Sequence, residues 1–113
     1  MNGSDDGPTS PTAAVLRLDP KMINAWGNRG MIHYREGALD LALQDFRAAL
    51  DLQPDNTDLM HNVGLVHFAR GELEQAMTLF DRAIAWAPNR ARIRFSRARA
   101  HAARGDYERA ASD

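Results

Sequence analysis

The chain has 113 residues, 26% of them charged and 44% hydrophobic, with a formal net charge of −1 and no cysteine. That length suits one domain of ordinary globular composition, and the missing thiols exclude disulfides, thiolate zinc sites and thiol catalysis. No apolar run approaches the roughly 18–20 residues of a membrane-spanning helix, and the near-neutral total argues against a general trap for nucleic acid or anionic lipid.

Residues 1–10 are polar and carry Gly and Pro, which predicts a disordered start. They lack the basic and apolar stretches of a secretory signal, so the cytoplasm is the expected compartment. Pro11 to Leu18 reads as a short helix with Ser10 as N-cap and Pro11 in the permitted first position. It parallels later helix ends before Pro54 and Pro88, which makes residues 11–22 a degenerate half repeat.

A first full unit covers residues 23–56. Its helices are expected over about 23–36 and 39–52, with Gly37 at the turn and Pro54 as the stop. A second unit, residues 57–90, repeats the plan with helices over about 57–70 and 73–86 around Gly71. A truncated unit, residues 91–113, should turn at Gly105 and begin a second helix at Tyr107.

The units share a 34-residue register. It links Gly30 to Gly64, Phe46 to Phe80, and Ala49 to Ala83. It also links Gly37 to Gly71 and Gly105, Ala42 to Ala76 and Ala110, and Pro20 to Pro54 and Pro88. Such a period marks an array in which each unit buries its apolar face on its neighbours. Gly30, Gly64 and Ala98 are expected where paired helices approach within about 8–10 Å, with Phe46 and Phe80 filling the space between units.

The residues Trp26, Gly30, Ala42, Phe46, Ala49 and Pro54 resemble the tetratricopeptide repeat. Gly64, Ala76, Phe80, Ala83 and Pro88 match it again, as do Ala98, Gly105, Tyr107 and Ala110. The resemblance covers residues 11–113 and implies an all-α, right-handed superhelical solenoid of antiparallel helix pairs. The sequence departs from the family at Arg29 and Arg97, where Leu is commoner, and at Arg94. His33, His67 and His101 stand in place of a usual Tyr. The last unit ends one residue before its expected aromatic, which suggests a fragment of a longer array or a stacking face paired with another subunit.

The resemblance further implies that the first helix of each unit lines a concave groove. Stepping by the repeat puts Asn24, Asn28, Met31 and Tyr34 there, then Asp58, Asn62, Leu65 and Phe68, then Arg92, Ser96, Arg99 and Ala102. Gly27, His61 and Phe95 form a further row. Met31, Tyr34, Leu65 and Phe68 offer an apolar strip, while Asn28, Asn62, Arg92 and Arg99 offer amide and guanidinium groups for a peptide main chain or carboxylate. Three of these, Asn28, Asn62 and Arg92, match the family's clamp for chaperone C-termini, but Asn24 and Ser96 stand where that clamp has basic residues.

Other chemistries fit poorly. Evenly spaced histidines on successive units lie roughly 10 Å or more apart; two could share one zinc ion with strain, but not three. They are expected in the core or at its boundary. Residues 89–113 carry seven arginines against three acids, whereas residues 23–88 carry nine acids against five bases. The arginines are spread around their helix with few stacking aromatics, so nucleic acid is not an expected partner. Glu72, Glu74 and Asp81 are expected to neutralise some of them. Trp26 and Trp86 read as core or seam residues. No phosphate-binding glycine loop, nucleophile elbow or HExxH is present. The expected function is a non-enzymatic, cofactor-free interaction module for a peptide or partner protein. Alternatives are a docking segment of a larger enzyme and an array that self-associates through open ends.

Overall fold

A computed structural model describes residues 20–112, with side chains described from Ile23 to Asp106. The expectations for the N-terminal start and most of the half repeat lie outside the described residues. Five helices follow in chain order: α1 (Pro20–Arg35), α2 (Leu39–Leu52), α3 (Thr57–Ala69), α4 (Leu73–Trp86) and α5 (Ala91–Ser112). The described residues form an all-α solenoid. α1 packs on α2 and α3 on α4 as hairpins, while α2 meets α3 and α4 meets α5 across the unit seams.

Turn chemistry explains the hairpins. Gly37 and Gly71 adopt φ of 79° and 80°, a left-handed conformation costly for other residues. Around Gly37, the Ala38 N–H donates to the His33 carbonyl at 2.8 Å and the Gly37 N–H to Tyr34 at 3.1 Å. Glu72 and Gly71 donate to His67 and Phe68 in the same way, at 2.8 and 3.0 Å. Both turns are therefore Schellman motifs that satisfy the last carbonyls of the first helix. At the start of α3, the Asn56 side chain caps the helix by accepting from the Leu59 N–H at 3.0 Å. α1 begins three residues earlier than expected, because Pro20 has the φ that a first helical position needs.

Each aromatic plug fits its own unit's glycine. A Cβ on Gly30 would lie 2.6 Å from Phe46 Cε1, and one on Gly64 would lie 2.5 Å from Phe80 Cε1. Phe46 and Phe80 thus close the gap within a helix pair, rather than chiefly between units. The core runs through the seams as two clusters, one around Phe46, Leu59, Val63 and Val66, the other around Met60, Met77, Phe80 and Ile93.

The third unit departs from expectation. α5 runs unbroken through Gly105, which lacks the positive φ of Gly37 and Gly71. A glycine tolerates a turn but does not impose one; inside a helix it costs only about 1 kcal/mol. Ala98 is consequently exposed rather than held against a partner helix. Trp86 is 64% exposed, so it is not a core residue, whereas Trp26 packs against the first cluster. The histidines divide likewise: His67 is buried, His33 half-buried and His101 exposed.

Candidate peptide-binding groove

α1, α3 and α5 carry the residues expected to face a ligand. Met31 and Tyr34 are half-buried against the first core cluster, and Leu65 and Phe68 against the second. Each therefore has one side fixed by packing and the other available to solvent. Asn62 is half-buried, while Asn28, Arg92 and Arg99 are exposed.

The structure brings two of these residues together. The Arg99 guanidinium lies over the Phe68 ring, 5.1 Å from its centroid, in a cation–π contact between α5 and α3. Asn28 has no such link to the others, and the polar residues form no preassembled cluster among the described side chains.

Below this surface lies a connection that sequence reasoning passed over. His61 Nε2 and Ser96 Oγ share a 2.8 Å hydrogen bond, with both residues buried. The His61 ring also tilts against Phe80 at 5.7 Å between centroids. Ser96 therefore joins α5 to α3 instead of contacting a ligand. Burial holds the His61 pKa below its ordinary 6.5; Arg92 and Arg90 push the same way, and Asp58 opposes them. The signal was available in the register, since His61 and Ser96 are one repeat and one residue apart. Phe95, in the same row, is 66% exposed.

Ion pairs tie α5 to the helices before it. Arg90 bonds Asp58, Arg97 meets Asp81 at 3.0 Å and Arg104 meets Glu74 at 3.4 Å. Glu72 does not neutralise the third unit. It accepts from His67 Nδ1 at 2.8 Å and approaches Arg70 Nε at 3.3 Å. The His67 hydrogen bond is the main cause of a lowered Glu72 pKa. An arginine can only donate, so His67 Nε2 accepts from Arg47 Nη2 at 3.1 Å and the ring proton sits on Nδ1. Arg29, an expected departure from the family, is accommodated by a bidentate pair with Asp45 at 3.0 and 2.8 Å. Among the described residues no group of three or more His, Cys, Asp or Glu is placed to hold a metal ion. No described helix is long and apolar enough to cross a membrane.

Helix pairs with glycine–phenylalanine notches and Schellman turns, repeated in one register, define a helical-repeat protein. Residues 33–99 and 67–112 match the family model for the tetratricopeptide repeat, and the chain belongs to that family. No curated protein matches it. Among solved structures, the first tetratricopeptide domain of Spaghetti (RPAP3), bound to the HSP90 peptide SRMEEVD, is similar at a TM-score of 0.71 and 23% identity. That match covers 77% of this chain and 69% of the other. A MamA mutant is similar at a TM-score of 0.67 and 19% identity, over 78% of this chain and 64% of that one. At these identities the likeness is one of fold.

Proposed function

We propose that this chain is a non-enzymatic interaction module that holds an extended segment of a partner protein across α1, α3 and α5. Asn28 and Asn62 bond the segment's main chain, Arg92 and Arg99 take an acidic group, and Met31, Tyr34, Leu65 and Phe68 receive its side chains. The observation that carries this reading is the Arg99–Phe68 stack. It presents a cation and an apolar surface side by side on the face that the family uses for peptides.

The RPAP3 domain holds an HSP90 peptide that carries acidic residues, which supports an acidic segment here too. The clamp positions differ, because Asn24 stands at one and the buried Ser96, bonded to His61, at another. A chaperone tail is therefore a poorer fit than another acidic sequence. The test compares partner capture from the source lysate by wild type and by an Asn28→Ala, Asn62→Ala, Arg92→Ala triple variant. A partner held by wild type and lost by the variant supports the groove; equal capture by both refutes it.

A further inference from the structure

The face formed by the second helices of the units carries a separate feature. Between α2 and α4, with α3 beneath, lies a cavity of about 330 Å³. Leu50, Val63 and Leu79 give it an apolar floor, and Arg47, Asp51 and Arg82 stand around it.

The repeat register shows why it is open. One repeat on from Arg47 is Asp81, and one repeat on from Val63 is Arg97. Across the α4–α5 seam, Arg97 and Asp81 meet at 3.0 Å. Across the α2–α3 seam, the same two positions hold Arg47 and Val63, which cannot pair. A second comparison gives the same result. Val63 and Leu79 stand one repeat on from Arg29 and Asp45, which form the bidentate ion pair of the first unit. Ion pairs thus occupy both sets of positions elsewhere in the array, and an apolar floor replaces them here.

Neither cation at this cavity makes an ion pair among the described residues, although Arg47 lies within electrostatic reach of Glu72. Arg29, Arg70, Arg90, Arg97 and Arg104 each pair with a carboxylate. Arg47 instead donates to the His67 ring, and Arg82 makes no ion pair among the described residues. Asp51, one helical turn beyond Arg47, pairs with neither guanidinium. Guanidinium groups beside desolvated aliphatic carbons complement a carboxylate next to an aliphatic side chain. The volume is at the lower end of the roughly 300–1,000 Å³ of small-molecule pockets. It suits one or two side chains of a larger partner.

We infer that this seam is a second docking site, for an acidic amphipathic helix of a partner protein. Arg47 and Arg82 hold one carboxylate of that helix, and Leu50, Val63 and Leu79 receive a leucine-like side chain. The partner supplies the carboxylate that neither Arg47 nor Arg82 finds in an ion pair within the described residues. This site lies on different helix faces from the groove, and neither assignment depends on the other.

The probe is a fluorescent, N-acetylated and C-amidated helical peptide with Glu and Leu on one face, at i and i+4 spacing. Amidation removes the terminal carboxylate that the groove arginines could hold. Anisotropy gives the affinity, and amide chemical shifts give the location. Binding should shift the amides of Leu50, Val63 and Leu79. Arg82→Glu, on an exposed side chain, should weaken binding at least about tenfold, which corresponds to about 1.4 kcal/mol. Peptides with Leu→Ser or Glu→Gln should weaken it as well, whereas Asn62→Ala should not. The inference is overturned by unchanged affinity in Arg82→Glu, by shifts confined to the Asn62 and Phe68 face, or by no binding at millimolar peptide. Equal displacement by octanoate would overturn the peptide assignment in favour of a small amphiphilic carboxylate.

Discussion

Replacing Gly64 with alanine tests the packing rule of the array. The new Cβ would stand 2.5 Å from Phe80 Cε1, 2.8 Å from Cδ1 and 3.2 Å from Cζ. Phe80 is fully buried, so its ring cannot yield toward solvent and the helix axes must separate. Overpacking of this kind costs about 1–3 kcal/mol, and a ring with no free side places the cost near the upper half. Alanine recovers about 1 kcal/mol of helix propensity over glycine. The expected net loss is about 1–2 kcal/mol, read as a lower urea midpoint. Gly105 provides the opposite case, since a Cβ there meets nothing within 4 Å inside a continuous helix. Gly105→Ala should therefore raise the midpoint, by up to about 1 kcal/mol. A double-mutant cycle with Phe80→Leu isolates the cause, because shortening the ring should offset part of the Gly64→Ala loss. Wild-type stability in Gly64→Ala, or strict additivity in the cycle, refutes the notch argument.

Three further outcomes are expected. His61 has a lowered folded pKa, so the unfolded chain binds its proton first; stability should fall as pH drops below about 6.5 and level off below the folded value. Urea midpoints across that window should show a shallower slope in His61→Gln. Arg29→Leu should cost about 1–3 kcal/mol, because the Asp45 carboxylate, whose side chain is only 7% exposed, loses its bidentate partner and keeps only His33 Nε2 at 3.7 Å. Arg29→Val with Asp45→Leu, which copies Val63 and Leu79, should recover most of that loss in the same denaturation assay. Asn62→Ala should weaken capture of the groove partner while leaving the melting temperature nearly unchanged; unaltered capture together with Phe68→Ala would remove the groove as the site.

The fold was legible wherever a residue's role is local. Gly37 and Gly71 announced their turns because a left-handed φ is a property of one residue. Gly30 and Phe46 were legible as close-approach and filler positions, since the register supplied both helices. Gly105 has the same identity and register, but its turn also requires a helix able to return and bury something. Here the helix continues through Gly105 instead. Trp86 misled for a related reason: aromatic character predicts burial only where a neighbour covers it, and here it remains largely exposed. Within the candidate groove, sequence placed residues on a face but could not show which were already engaged. Ser96 turned inward to His61, and Arg99 settled on Phe68.

These engagements link the groove to the core. Phe68 and Leu65 pack on the cluster that contains Met60 and Phe80, and His61 touches both Phe80 and Ser96. The α3–α5 contacts through His61 and Ser96 therefore adjoin the packing that holds Leu65 and Phe68 in place. A substitution that loosens the Phe80 notch disturbs the groove from behind without removing any ligand contact. It follows that Gly64→Ala should weaken groove binding as well as stability, whereas Arg29→Leu, at the far hairpin, should lower stability with less effect on binding. Titrating the captured partner against both variants, under conditions where each remains folded, separates the two effects. Equal loss of affinity in both would mean that binding follows global stability, and the coupling through His61 and Phe80 would have no special part in it.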